Sequence, residues 1–162
     1  MSESISENDA ALWQHYLRAH TEFATAIFHL WSQATNNVEI VRSNLAPETR
    51  EAALLFATWL SVEEQKELLK EFVYMVAGAY DTKHGYALDI IKSLPREWLI
   101  SHIEASIEDL LPILDDNDYY QLLGLYAYLD RGLELRLLEH IDKHDDPEIR
   151  EVSEHYRQTI MK

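Results

Sequence analysis

The sequence predicts an all-α fold of about eight helices, arranged as a stack of α-hairpins in a short α-solenoid. Three observations carry that expectation. Apolar residues recur at spacings of three and four along most of the chain, the period of one buried helix face. Only four Gly and four Pro occur in 162 residues, too few turn formers for a many-stranded sheet. Residues that start helices (Ser, Asp or Pro) stand just ahead of most of the apolar stripes.

Residues 1–8 are polar and acidic and are expected to be disordered. The first helix is expected to open at Asn8 or Asp9, both able to cap it. Trp13, Tyr16, His20, Phe23, Ile27, Leu30 and Ala34 then form one stripe, on which His20 reads as a core histidine. Thr35-Asn36-Asn37 reads as a break, and Val38–Val41 as helix, since no other segment offers a strand to pair with. Pro47 suits the first position of a helix running to about Leu60. Ser61-Val62-Glu63-Glu64 is a capping box, opening a helix that buries Leu69, Phe72, Val73, Val76 and Tyr80. Asp81 caps the next, with Leu88 and Ile91 buried, and Pro95 starts another through Leu99, Ile103, Ile107 and Leu110.

From there the units are short. Asp115-Asp116-Asn117-Asp118 reads as turn and cap before a helix with Leu122, Tyr126 and Leu129. Asp130-Arg131-Gly132 reads as a tight turn before Leu133, Leu137 and Ile141. Asp145-Asp146-Pro147 opens the last helix, with Ile149, Val152, Tyr156 and Ile160. The acidic turns at Asp116 and Asp146 lie 30 residues apart, a period found in helical-repeat proteins. The stretch Asp145-Asp146-Pro147-Glu148-Ile149-Arg150-Glu151-Val152 resembles the Asp-Pro-x-Ile/Val-Arg segment that opens the second helix of HEAT repeats. The resemblance extends loosely over residues 82–161. It implies a hairpin stack with a concave, protein-binding face. The expected organisation is therefore one domain over 1–162, with N-terminal helices in 9–80 and HEAT-like hairpins in 82–161.

Composition limits the function. The net charge of −15 repels nucleic-acid phosphates and anionic lipid heads, so neither nucleic acid nor membrane is an expected partner. Without cysteine there is no thiolate chemistry, disulfide or Cys-ligated metal. The polar N-terminus does not read as a secretion signal, and no apolar run approaches the roughly 18 residues of a membrane span. Together these point to the cytoplasm. The four glycines, at 78, 85, 124 and 132, form no phosphate loop, and no Gly-x-Ser-x-Gly elbow occurs. Gly124 reads as a small residue allowing close helix packing.

Two clusters compete as functional sites. Residues 97–130 hold eight acids and no Lys or Arg. Glu97, Glu104 and Glu108 fall within a narrow arc of one helix, and Asp115, Asp116, Asp118, Tyr119 and Tyr120 follow. Carboxylates interleaved with tyrosine suit recognition of a basic protein, the acids steering association and the rings supplying contact area. The plainer explanation is a solvated face above core tyrosines. A calcium loop at Asp116 fails, because Tyr120 and Gln121 occupy the fifth and sixth positions and Ala127 the twelfth. The other cluster is His140 and His144, spaced to share a metal in a helical metal-dependent enzyme. Lys143 beside the second histidine and the lack of a Glu after the first favour a surface pair at a helix end. The sequence thus predicts a non-enzymatic module without cofactor or metal. Its acidic surface would bind a basic protein, as an inhibitor or immunity-type protein covers a nuclease toxin. Four tryptophans exceed what the core needs, so an exposed one would mark a homodimer interface.

Overall fold

The computed structural model describes residues 6–78 and 85–160. Among these residues the chain is helical throughout, with no strand. It divides after Asn37 into two compact units, 1–37 and 38–162, at the break read from Thr35-Asn36-Asn37. Tyr80 and Asp81, read from the sequence as core residue and cap, lie outside the described residues.

The first unit contains one long helix, α1 (Glu7–Gln33). Its cap is Ser6, whose hydroxyl accepts the Asp9 N–H at 3.1 Å, and not Asn8 or Asp9 as expected. A serine two residues earlier supplies the same acceptor, so helix extends into the span expected to be disordered. The apolar stripe exists, but Ile27 is its one buried member among the described residues of α1. Trp13, Tyr16 and Phe23 are half-exposed, and His20 is exposed, which overturns its reading as a core histidine. Periodicity identifies a face, and says nothing of what covers it.

The second unit holds α2 (Asn37–Ser43), α3 (Arg50–Ala57), α4 (Val62–Glu67), α5 (Leu69–Ala77), α6 (Gly85–Ser93) and α7 (Arg96–Ile107). A 3-10 turn (Leu111–Ile113) leads to α8 (Asp116–Leu129), α9 (Arg131–Asp142) and α10 (Pro147–Thr159). Among the described residues there are ten helices where about eight were expected, and one continuous stripe, the one opened at Ser61, is split in two. The helix expected from Pro47 begins three residues later, after a turn at Ala46–Thr49, and ends at Ala57. The capping box at Ser61 forms as read, with Glu64 N–H to Ser61 Oγ at 3.3 Å and Ser61 N–H to Glu64 at 2.8 Å. The helix it opens stops at Leu68, where a new one starts one residue on. Leu68 itself is fully buried, so apolar continuity across the break hides it from a periodicity argument.

Helix α5 is the hub, packing against α6, α7 and α8. Its Leu69, Phe72, Val73 and Val76 are buried, as expected. So are Leu99, Ile103 and Ile107 of α7, each such side chain stabilising the fold by about 1.5–3 kcal/mol. Arg42 ties α2 to α5 through Glu71 at 2.6 Å and to the end of α4 through the Glu67 carbonyl at 3.3 Å. Arg96 ties the start of α7 to the end of α8, donating from Nε to the Leu129 carbonyl at 3.0 Å.

Helices α8, α9 and α10 pack mutually, and Asp130 explains their compactness. It ends α8 and caps α9 at once, its carboxylate accepting the Gly132 and Leu133 N–H groups at 2.7 and 3.1 Å. The expected Asp130–Gly132 turn is thus a single-residue corner, with Arg131 and Gly132 already in α9. At the next corner Asp146 accepts the Glu148 N–H at 2.9 Å and Pro147 takes the first helical position, as read.

Candidate interaction surface on the C-terminal helices

The stretch with no Lys or Arg is partitioned by the fold into residues with different work. Glu97 on α7 and Glu108 at its C-terminal cap are exposed. Glu104 grips Arg136 of α9 in a two-bond fork, at 2.8 and 3.0 Å, so an arginine beyond the stretch neutralises it. Its charge, after burial itself, keeps the Tyr126 phenol protonated far above the ordinary range. Asp109 pairs with Lys70 of α5, which holds its carboxyl below the usual carboxylate range. Of the three glutamates expected as an aligned array, Glu104 is thus paired within the fold while Glu97 and Glu108 are exposed.

Asp115 and Asp118 close a capping box at the start of α8. The Asp118 N–H donates to Asp115 at 2.9 Å and the Asp115 N–H to Asp118 at 3.2 Å. Burial raises the Asp118 pKa, and the neighbouring charges of Asp115 and Asp116 add to it. Tyr119 is fully buried, its hydroxyl donating to the Leu111 carbonyl at 2.9 Å, so it belongs to the core and not to a surface.

Asp116 and Tyr120 remain, and the fold joins them to residues the sequence reading passed over. They line an open groove of about 880 Å³ between α8 and α10, with Asn117, Glu148, Glu151, Val152 and His155. The half-buried Tyr120 ring meets the Tyr156 ring edge-on at 5.8 Å and lies 6.1 Å from the His155 ring. No Lys or Arg lines the groove, while three carboxylates do. A signal for the missing half was present. Glu148, Glu151 and His155 sit at spacings of three and four, each one residue ahead of the buried Ile149, Val152 and Tyr156. They border the core stripe and so face the neighbouring helix across a gap. Glu97, Glu104, Glu108, Asp115, Asp118 and Tyr119 do not line it.

Beneath the groove lies a buried polar pair. Glu134 of α9 is 3% exposed, paired with Arg131, and its charge acts on the Tyr156 phenol. Burial and this carboxylate push the Tyr156 pKa up to about 12. Ser153 and Arg157 of α10 both reach Asp142 at the end of α9, Arg157 with contacts of 2.9 and 2.7 Å. Arg157 first, helped by Ser153, holds the Asp142 carboxyl below its ordinary range.

His140 and His144 line a separate groove with Arg136, Glu139, Lys143 and Asp145. Their ring centroids are 6.3 Å apart. The His144 Nδ1 accepts the Asp146 N–H at 3.1 Å, and the His140 Nε2 lies 3.3 Å from the Tyr119 hydroxyl. Burial, then the His144 charge, lowers the His140 pKa. Among the described residues no group of three His, Asp or Glu could hold a metal, and Arg136 and Lys143 border the pair with charges that oppose a cation. Comparison of the chain with family models, curated proteins and solved structures gives no match.

Proposed function

We propose that this chain is a non-enzymatic protein-binding module whose α8–α10 groove receives a basic side chain of a protein partner. The observation that carries the reading is the groove lining itself, with Asp116, Glu148 and Glu151 around Tyr120 and His155 and no cation among them. A partner arginine would stack on the Tyr120 ring and pair with a carboxylate, the combination that makes arginine and tyrosine energetic anchors of interfaces. Asp116 and Glu148 also sit in the first turns of α8 and α10, where a carboxylate is favoured by the helix dipole in any case. The groove acids thus have a folding role alone and a recognition role in a complex. The mutual packing of α8, α9 and α10 leaves this face open to a protein surface. An inhibitor or immunity-type role against a basic protein is the sharpest form of the proposal.

The test is affinity capture with the intact chain at low and moderate salt, beside a variant carrying Glu148→Lys and Glu151→Lys. The expected result is a basic protein captured by the parent, less so as salt rises, and lost by the variant. Capture that is equal for both chains, or absent at either salt, overturns the proposal.

A further inference from the structure

The strongest unexplained surface is the stripe of α1. Its residues Trp13, Tyr16, His20, Phe23, Ile27, Leu30 and Ala34 alternate spacings of three and four without interruption, which is the a/d repeat of a coiled coil rather than the looser face of a globular helix. Trp13 is 57% exposed, Tyr16 54% and Phe23 49%, with Leu12 and Leu17 beside them; the buried Ile27 interrupts the exposed stripe, which resumes at Leu30. Trp13 and Tyr16 already stack within the helix, with centroids 5.1 Å apart, so the two rings are ordered before any partner arrives.

From this we infer that α1 pairs with α1 of a second copy, antiparallel, through Trp13, Tyr16, His20 and Phe23. Charge selects the occupant. Between Ala10 and Asn37 only Arg18 and Glu22 are charged, so this segment is neutral in a chain of net charge −15. It is where two copies approach without the repulsion that the rest of the chain imposes. The flanking seam positions are Leu17, Ala19 and Ala24, with no charge to repel a copy and small side chains that permit close approach. Direction follows from the ends. A parallel pair would set Glu7 against Glu7 and Asp9 against Asp9, whereas the antiparallel pair separates them. In that orientation a positions meet d positions, so Trp13 faces Phe23 and Tyr16 faces His20 across the seam.

Area sets the strength. An aromatic side chain offers roughly 150–250 Å², about half of it exposed here, so the three rings with Leu12 and Leu17 supply about 1,000 Å² over two copies. That is the lower bound for a specific interface, and the pairing is accordingly weak and reversible, with dissociation in the micromolar range. It goes beyond the proposed function and does not depend on the groove.

Sedimentation equilibrium of the intact chain tests it. The mass should rise from 18.9 kDa toward twice that value with concentration. Phe23→Glu should weaken association at least tenfold, and Thr25→Glu, on the opposite face, should leave it unchanged. A second readout does not depend on how the charged variant folds. The chain has no cysteine, so Trp13→Cys and Phe23→Cys chains mixed in equal amounts should oxidise to a mixed disulfide that neither forms alone. A chain that stays monomeric at all concentrations, a dimer indifferent to Phe23→Glu, or like-with-like cross-linking overturns the inference.

Discussion

Glu134 and Tyr156 give the most direct check on how the groove is held, because the carboxylate and the phenol beneath it are both buried and electrostatically coupled. Consider Glu134→Leu, Tyr156→Phe and the double variant. Glu134→Leu strands the Tyr156 hydroxyl in the interior, at a cost of about 1–3 kcal/mol for a buried group left without its partner. The lost ion pair adds little, since Arg131 is more than half exposed and returns to water. Tyr156→Phe removes the polar hydroxyl beside the carboxylate, at a cost of about 1–3 kcal/mol, and leaves the carboxylate buried with Arg131 alone. In the double variant neither group is stranded. Its destabilisation should therefore fall short of the sum of the singles by about 1–2 kcal/mol. Urea unfolding followed by circular dichroism measures all four chains on one scale. Single costs that add to within about 0.3 kcal/mol would show that the two groups do not act as a unit, and the account of the groove floor would fail.

Two further tests concern glycine and proton linkage. Gly124→Ala should stabilise by about 0.5–1 kcal/mol, because no atom lies within 4 Å of the added Cβ and the backbone is ordinary helix, whereas Gly132→Ala should destabilise, its Cβ meeting the Asp130 carboxylate at 2.8 Å; thermal melts separate the two signs. His140 has a folded pKa below its ordinary 6.5, so its contribution to stability is present above that pH and is lost as pH falls through the lower folded value; His144→Gln should flatten the decline between about pH 7 and 5, measured as urea midpoints.

Much of the fold was written in local chemistry. Ser61 with Glu64, Asp115 with Asp118, and Asp146 with Pro147 each mark a helix start within a four-residue window, and each forms as the sequence predicts. What failed is non-local. Leu68 interrupts a helix while remaining apolar and buried, so no change of pattern announces the break. Gly124 was read as a packing residue, but nothing approaches it. The candidate site was half legible. Asp116 and Tyr120 stand in an acid-rich stretch that composition reveals. Glu104 looks equally available in the sequence, because its neutralising arginine lies 32 residues away on another helix. Glu148, Glu151 and His155 lie in a segment whose helix-opening motif drew the reading to its caps.

Asp116 and Glu148 show why acid counts alone mislead in a chain of this kind. Short helices multiply helix starts, and each start favours a carboxylate, either as cap or in the first turn. Of the eight acids in 97–130, Asp115, Asp118 and Asp130 are occupied by caps, and Glu104 and Asp109 by cations. A strongly acidic composition is therefore largely the by-product of building many short helices with tight corners, and distinguishes no face. What distinguishes a face is an acid left over after capping and pairing, placed beside a ring that is only half buried between two helices. Asp116, Glu148 and Glu151 around Tyr120 meet that condition because α8 and α10 both begin at the same end of the three-helix packing. The corner at Asp130 turns α8 into α9 and the corner at Asp146 turns α9 into α10, which returns the start of α10 to the start of α8. The groove is thus a consequence of two tight caps. Lengthening either corner by a few residues would loosen the register of α10 on α8 and disperse the groove without removing any residue that lines it.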